Sequence, residues 1–394
     1  MLHRSLLIAL SLTVAACSSP TNAPAPGTTP GTSSTPPPPS AKPIVTPPPG
    51  TTPVTANDPY VWTVAGDGTP GFLDAEVGHQ GRIHTPTDMV VIRGDTYITD
   101  SANHRIRRLT YDGVLENVIG TGERGYNGDG TNGHVLKLDT PFKITADEAT
   151  GNVFFSDLGN NLIRCIDITQ RLITIAGGGE YMADAGTSMR GVYIQLQEPA
   201  GLDFDSLGDL YVAERGGNRI LRISQDWMVT VVAGTGMPGA SGDDGQALDA
   251  EFNQPTDVYV DDKDNLYVAD TGNHRIRRIG NDGTVTTVAG NGLIGGEGDG
   301  GLATEAQLNH PTGVTMDAFG NLYIADSGNH RIRQVQPDGT IVTIAGSIFG
   351  GYGGDGKLPS QAQFNIPYGV AMAPGGVLLV ADRDNHRLRQ FMVP

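Results

Sequence analysis

One pattern is written six times along the chain, and this repeat restricts the possible folds more than any other feature. The prolines that open it lie 55, 58, 56, 56 and 56 residues apart: Pro86, Pro141, Pro199, Pro255, Pro311 and Pro367. Each unit holds four short strand-like runs, separated by turn sequences of the types D-x-x-G/D-N, D-x-x-N-H and x-D-G. A repeat of this length with four strands is typical of a β-propeller blade and not of a solenoid.

The two ends of the repeat region predict how the ring closes. The last unit stops at Pro394 after three strands, while a segment of the fourth-strand type stands alone at residues 60–66. Pairing that segment with the last unit leaves no blade edge unpaired. We therefore expect an all-β domain at residues 58–394, a propeller of six four-stranded antiparallel blades whose last blade is completed by the N-terminal strand.

The first 57 residues lack the repeat. Residues 1–17 contain Arg4, an apolar run and small residues before Cys17, which indicates an export signal too short to span a bilayer. Residues 14–17 resemble the lipobox of bacterial lipoproteins, which implies a lipidated Cys17 and, with Ser18 next, an outer-membrane location in the cell envelope. An incidental cysteine in a plain signal peptide is the alternative. Residues 18–57 are rich in Pro, Thr and Ser and predict a disordered tether.

Charge and cysteine content exclude several classes of function. The chain has 43 acidic and 26 basic side chains, a formal net charge of −17, and no basic run. Nucleic acids and anionic membrane surfaces need clustered Lys and Arg, so we expect neither, and membrane contact only through the lipid anchor. Two cysteines make neither a disulfide framework nor a four-thiolate zinc site.

The phrases GNLYIADSGNHRIR and TVAGNG resemble NHL repeats. The resemblance covers most of the chain and implies a six-bladed propeller, in agreement with the strand count. It does not imply one activity, because the family includes protein-interaction and RNA-binding modules, extracellular adhesion and sensor domains, and lyases that cleave peptidyl-hydroxyglycine. Fold alone does not choose among these functions.

The long connections between blades predict the functional face. Between the last Gly of the VAG-type sequence and the next Pro lie 19 to 21 residues, whereas turns within a blade are short. In an outward meander these connections share a face with the turns between second and third strands, and loops on a rigid scaffold commonly carry function. We name it the loop face.

Two recurrent motifs suggest metal ligands at first. The D-x-x-N-H-R motif holds His104, His274, His330 and His386, but strand spacing puts neighbouring copies roughly 16 Å apart, too far to share an ion. We expect its Asp and Asn to fix the turn and its arginines to pair with acids between blades. The glycine-rich connections each offer one or two carboxylates, so turn formation is the main expectation and weak calcium binding the alternative, with no other cofactor. The calcium candidates are Asp129, Asp243, Asp299 and Asp355.

The opening residues of the innermost strands differ between blades, and we expect departures from the repeat to mark a specific site. Blades one, two and four carry Asp88, Lys143 and Asp257 there, and blade six carries Tyr368. Near the axis these side chains could hold a small polar ligand or a hydrated cation.

A second irregular region lies at blades two and three. The connection between them replaces the GDG motif with a segment containing Tyr181, Arg190 and Tyr193, and blade three carries Glu214 and Arg215 where Asp and a small residue are usual. Tyr and Arg are frequent interface anchors, which predicts a partner site; ordinary drift of a repeat is the alternative.

An enzyme is the less supported function. The resemblance implies that the lyases hold metal through histidines at the start of inner strands, yet no histidine follows any of the six prolines, and neither a G-x-S-x-G nor a Walker motif occurs. We therefore predict a monomeric, lipid-anchored scaffold or sensor module that binds a protein or glycan. The alternative is a propeller enzyme of the hydroxyglycine-lyase or lactonase kind, with its site at the mouth of the central channel.

Overall fold

The computed structural model describes residues 59–393. The predicted signal peptide, the predicted lipidation site at Cys17 and the predicted tether lie outside the described residues. No helix among residues 59–393 is long and apolar enough to cross a membrane.

The described chain forms 25 strands in six sheets, introduced here in chain order. A single strand, β1 (Trp62–Ala65), comes first, and blade one follows as β2 (Pro86–Ile92), β3 (Asp95–Asp100), β4 (Arg105–Leu109) and β5 (Leu115–Ile119). Blade two is β6 (Pro141–Asp147), β7 (Asn152–Asp157), β8 (Leu162–Ile166) and β9 (Leu172–Gly177). Blade three has β10 (Met189–Arg190), β11 (Pro199–Phe204), β12 (Leu210–Glu214), β13 (Arg219–Ile223) and β14 (Met228–Ala233).

The remaining strands repeat the same meander. Blade four is β15 (Asp257–Val260), β16 (Leu266–Asp270), β17 (Arg275–Ile279) and β18 (Val285–Ala289). Blade five is β19 (Pro311–Met316), β20 (Leu322–Asp326), β21 (Arg331–Val335) and β22 (Ile341–Gly346). Blade six is β23 (Pro367–Ala373), β24 (Val377–Asp382) and β25 (Arg387–Met392).

Ring closure follows the prediction. The sixth sheet has the order β1-β25-β24-β23, so the first strand of the described chain is the outermost strand of the last blade, with Trp62 opposite Gln390. The innermost strands contact one another in ring order, and β23 contacts β2. The fold is therefore the expected all-β propeller with six antiparallel blades. Blade three differs in one respect, because the two-residue β10 adds a fifth strand outside β14.

The hydrophobic core lies between neighbouring blades. Strand side chains alternate between the two faces of a sheet, so each blade presents apolar residues to both neighbours. One cluster joins Ile106 of blade one to Phe155 of blade two, and five similar clusters complete the ring. Both residues are fully buried, and burying one such side chain stabilises the fold by about 1.5–3 kcal/mol.

Helical structure among residues 59–393 is limited to ten three-residue 3-10 helices. Five of them form the turn between second and third strands: Ser101–Asn103, Leu158–Asn160, Thr271–Asn273, Ser327–Asn329 and Arg383–Asn385. The other five lie in the connections between blades: Gly78–Gln80, Gly133–Val135, Gly191–Tyr193, Ala247–Asp249 and Pro359–Gln361.

The first part of a connection lies over the turn between second and third strands, as predicted, and the later part pairs with the beginning of the outermost strand, as Leu302 does with Thr340. In blade one the side-chain amide of Asn103 donates to the carbonyl of Gly71, 2.7 Å away, and so holds the incoming connection over the turn. The same bond recurs in four other blades, from Asn160, Asn273, Asn329 and Asn385 to Gly125, Gly239, Gly295 and Gly351. The asparagine of the repeat thus fixes the loop face.

Candidate functional site

Buried arginines on the third strands hold the connections in place. Arg107 has no solvent exposure, and its guanidinium bonds to Asp100 of its own blade (3.0 Å) and to Asp74 of the connection entering that blade (2.6 Å). Arg164, Arg277, Arg333 and Arg389 are arranged in the same way. The expectation that these arginines pair between blades is wrong, because each one reaches inward to its own turn and outward to its own connection.

The four calcium candidates are the connection acids of these pairs. Asp129 lies 3.0 Å from Arg164, Asp243 and Asp299 lie 2.8 Å from Arg277 and Arg333, and Asp355 lies 2.7 Å from Arg389. No group of three or more potential metal-ligating side chains occurs in residues 59–393. The geometry of these acids is that of an ion pair which shapes the connection.

The four motif histidines join adjacent blades. Each has left-handed backbone angles, such as φ 52° at His104, and its Nδ1 accepts a bond from the backbone N–H of the residue before the next blade's proline. Blades two and three place Asn161 and Asn218 there, and their side-chain oxygens accept the same bond. Burial lowers the pKa of all four histidines, which favours the neutral ring that the acceptor role requires.

One ionic cluster at the ring axis joins three of the inner-strand residues singled out in the sequence. We call it the axial triad: Asp88, Lys143 and Asp257. The Lys143 ammonium is fully buried and lies 2.8 Å from Asp257 Oδ2 and 3.7 Å from Asp88 Oδ1. The carboxylates also accept backbone bonds from Ile144 and Val314, each at 3.1 Å. Lys143 therefore bridges blades one and four, which face each other across the ring.

Glycines make room for the axial triad. A Cβ on Gly201 would lie 2.3 Å from the Asp257 Cα, and one on Gly369 would lie 2.2 Å from Asp88 Oδ1. Both distances are far shorter than a carbon atom allows. Glycine in blades three and six is thus a steric requirement of the cluster.

Burial has the largest single effect on the pKa values of the charged groups at the axis. Burial raises the pKa of Asp88 to about 7, although the nearby Lys143 charge opposes this rise and the Asp257 charge adds to it. Asp203, one layer further along the axis, also has a pKa raised to about 7 by burial, despite backbone bonds from Val260 and Phe204. Burial disfavours charged Lys143, but its two acidic neighbours outweigh this and raise its pKa.

Tyr368 and Arg215 lie above the triad, where the axis opens on the loop face. The ring of Tyr368 contacts that of Phe142 edge-on, with 5.3 Å between centroids, and lies 5.9 Å from the Lys143 ammonium. Arg383, which the sequence reasoning missed, lies 5.5 Å from the same ring. An alignment of the six copies could have found it, since it occupies the repeat position of Arg215 in the opposite blade.

The irregular region at blades two and three is separate from the axis. Tyr181, Tyr193 and Arg190 are exposed in the connection between these blades, and Met182 is exposed beside them. Glu214 does not join them: it is fully buried, bonds to Arg219 and accepts the backbone N–H of Gln197 at 2.9 Å. Its position is that of a turn-forming residue.

Exposed apolar and aromatic side chains are concentrated in the connections between blades, which begin on the loop face and continue along the outer edge of each blade. Of the 21 large ones exposed in residues 59–393, 16 belong to the connections between blades. The other five are Tyr60, Tyr111, Ile168, Leu207 and Phe319. Every connection contributes at least one, and we call one set of six the apolar ring: Phe72, Tyr126, Tyr181, Met237, Leu293 and Phe349. The sequence reasoning identified only Tyr181 among them.

Comparison with protein families identifies the repeat. Residues 252–279 and 364–391 match the NHL repeat, and residues 295–349 match the Teneurin NHL domain.

Three curated proteins with similar sequences are longer than this chain. SUPPRESSOR OF QUENCHING 1, chloroplastic, of Arabidopsis thaliana is 30% identical over 254 residues, 60% of this chain and 23% of that protein. Human NHL repeat-containing protein 2 is 28% identical over 334 residues, 74% of this chain and 44% of that protein. Mouse Teneurin-3 is 30% identical over 291 residues, 64% of this chain and 10% of that protein. The chain spans less than half the length of these relatives.

Solved structures share the fold at low sequence identity. A structural genomics protein of unknown function from Bacteroides thetaiotaomicron aligns with a TM-score of 0.63 at 18% identity, covering 85% of this chain and 76% of that one. An auxiliary nutrient binding protein from the same organism aligns with a TM-score of 0.62 at 17% identity, covering 84% and 75%.

Proposed function

This chain is an NHL-repeat β-propeller, and from that premise we propose that it is a binding module which holds a protein or glycan partner on its loop face at the cell envelope. The observation that carries the proposal is the distribution of exposed apolar side chains, 16 of 21 of which lie in the connections between blades. Exposed apolar side chains that form a contiguous surface commonly mark an interaction site.

Two members of the apolar ring, Phe72 and Tyr126, lie against arginines of the blades beneath them. The guanidinium of Arg105 stacks over the Phe72 ring at 3.9 Å, and Arg164 lies 5.2 Å from the Tyr126 ring. The connections carrying Phe72 and Tyr126 are also fixed by the asparagine and arginine contacts described above. A surface ordered before binding loses less conformational entropy on association, which favours affinity.

The connection between blades two and three is the best candidate for the centre of the interface. It presents Tyr181 and Tyr193, which are 60% and 56% exposed, with Met182 and Arg190 close in sequence. Aromatic residues, Met and Arg are enriched at interface cores relative to the rest of a protein surface. Aromatic faces also stack on sugars, so a glycan partner is a distinct outcome of the same test.

The envelope location rests on the sequence. An export signal ending in Cys17 would attach the protein to lipid, and residues 18–57 would let the propeller stand away from the bilayer. The loop face would then be free to meet a partner in the same compartment.

The test is a quantitative pull-down from envelope extracts with the full chain as bait. One variant carries Tyr181→Ser, Arg190→Ser and Tyr193→Ser, and a matched control carries Tyr111→Ser, Ile168→Ser and Phe319→Ser, which alters the opposite face. We expect the first variant to lose partners that the wild type and the control both retain, with glycan arrays scored in parallel. Equal recovery by all three baits would overturn the proposal.

A further inference from the structure

Two repeat positions surround the opening of the axis on the loop face. One is the residue after the blade proline, and the other is the residue after the acid of the second-to-third turn. In blades one, four and five both are hydroxyl residues, which bond to each other and to a carbonyl of the next blade: Thr87 with Ser101, Thr256 with Thr271, and Thr312 with Ser327. These hydroxyls serve blade packing.

Blades two, three and six break this hydroxyl pattern. Blade two has Phe142 with Leu158, blade three Ala200 with Arg215, and blade six Tyr368 with Arg383. The Phe142 and Tyr368 rings meet across blade one. The opening is thus lined by an aromatic pair on one side and by arginines from two opposite blades.

The side-chain donors at this opening are only partly used by the scaffold. The side chain of Arg215 makes no hydrogen bond to any residue of 59–393, and its acidic neighbour, Glu198, lies 3.7 Å away on the exposed side. Arg383 bonds to the adjacent Asp384 at 3.0 Å. Both arginine side chains are about one-third exposed, at 31% and 34%. The Tyr368 hydroxyl likewise has no hydrogen-bond partner in the described chain.

Three cations and one carboxylate, Asp257, act on the Tyr368 phenol. Burial raises the pKa of this phenol, while the charges of Arg215, Lys143 and Arg383 all act in the opposite direction. Asp88 and Asp257 flank Lys143 one layer below, and Glu198 and Asp384 accompany Arg215 and Arg383, so the opening is distinguished by its unused guanidinium donors and not by an excess of positive charge. The carboxylates of Asp88 and Asp257 would repel a multiply charged anion that came close to the axis.

We propose that this opening binds a small organic monocarboxylate. Its carboxylate accepts hydrogen bonds from Arg215, Arg383 and the Tyr368 hydroxyl, and its apolar part packs against Phe142 and Leu158. Planar guanidinium groups match the carboxylate geometry, and the carboxylates of the axial triad select against phosphate dianions. The site is independent of the partner surface proposed above.

The test measures ligand binding by the purified full chain, with phenylacetate as probe and inorganic phosphate as comparison. A peptide ending in Phe, with a free or an amidated C-terminus, distinguishes a chain terminus from a free acid as the source of the carboxylate. We expect Arg215→Gln and Arg383→Gln each to weaken phenylacetate binding by about tenfold or more. Arg124→Gln, which changes an exposed arginine elsewhere on the loop face, leaves it unchanged.

Tyr368→Phe separates a direct contact from a structural effect. It retains the aromatic packing and removes only the hydroxyl, so weaker binding with an unchanged melting temperature supports the contact. Binding unaffected by the double variant Arg215→Gln/Arg383→Gln, or phosphate binding as tight as phenylacetate binding, would overturn the inference. The envelope pull-down is unaffected by these variants, so the two proposals fail separately.

Discussion

The backbone N–H of Thr85 donates a hydrogen bond to Nδ1 of His386 at 3.2 Å, although the two residues are 301 positions apart in the chain. The bond joins the last blade to the first beside the strand exchange through β1. Every other pair of adjacent blades has the same bond, with His or Asn as acceptor. The propeller is thus closed by six copies of one contact, four of which require a neutral imidazole.

We predict that these contacts make stability depend on pH. The folded histidines have pKa values lowered by burial, whereas unfolded histidines titrate near about 6.5. As pH falls below that value the unfolded state binds more protons, so the histidine contribution to the free energy of unfolding decreases. Denaturant unfolding between pH 8 and pH 5 measures the effect.

The chain supplies its own control for the histidine prediction. Asn161 and Asn218 make the same bond at 2.8 and 2.9 Å and do not titrate. A variant with Asn at all four histidine positions should keep the fold and lose this component of the pH dependence. Because the acids at the axis titrate equally in both proteins, the difference between wild type and variant isolates the histidines. Identical pH profiles would contradict the prediction.

Removal of the Lys143 ammonium should destabilise the ring. Lys143→Met leaves Asp88 and Asp257 buried without their cation, and breaking a buried ion pair in this way costs about 3–5 kcal/mol. Lower pH should reduce the loss, since protonation removes the uncompensated charge. Adding Asp88→Asn and Asp257→Asn should also restore most of the stability, which chemical denaturation will measure. A Lys143→Met protein with wild-type stability at pH 7.5 would show that the ion pairs of the axial triad do not stabilise the fold.

The glycines beside the triad should not tolerate a methyl group. We expect Gly201→Ala and Gly369→Ala each to destabilise the protein by roughly 1–3 kcal/mol, because the new Cβ would overlap Asp257 and Asp88. Gly301→Ala is the control, as its nearest contact, the Gly298 carbonyl oxygen, is 3.4 Å away. The measurement is the melting temperature of each variant, which should be lower for Gly201→Ala and Gly369→Ala than for Gly301→Ala. Equal melting temperatures would refute the steric explanation.

The architecture was predictable from sequence because a repeated pattern specifies its own neighbours. Six copies of one four-strand unit fix the blades, and the orphan segment at residues 60–66 has one free edge to pair with. The loop face followed from the order of strands alone.

Side-chain partners were less predictable, since they depend on reach in three dimensions. Lys143 crosses the glycine of blade three to meet Asp257 in blade four, a contact between residues 114 positions apart. The sequence indicated that these residues could jointly hold a small polar ligand or a hydrated cation, whereas in the structure they bind one another. The sequence also predicted that the arginines pair between blades. Residue spacing does not reveal how a connection curves back over its own blade, and that curvature brings the acids to the arginines.

Calcium should leave the stability of this propeller unchanged. Asp129, Asp243, Asp299 and Asp355 each bond to an arginine with no solvent exposure, so a bound calcium ion would displace a partner that then remains buried and unpaired. We expect the same melting temperature with millimolar calcium and with chelator. Asp355→Asn should lower it in both conditions, whereas Asp244→Asn, an exposed neighbour in another connection, should not. A calcium-dependent rise that disappears when all four acids are replaced by Asn would instead establish these connections as ion sites.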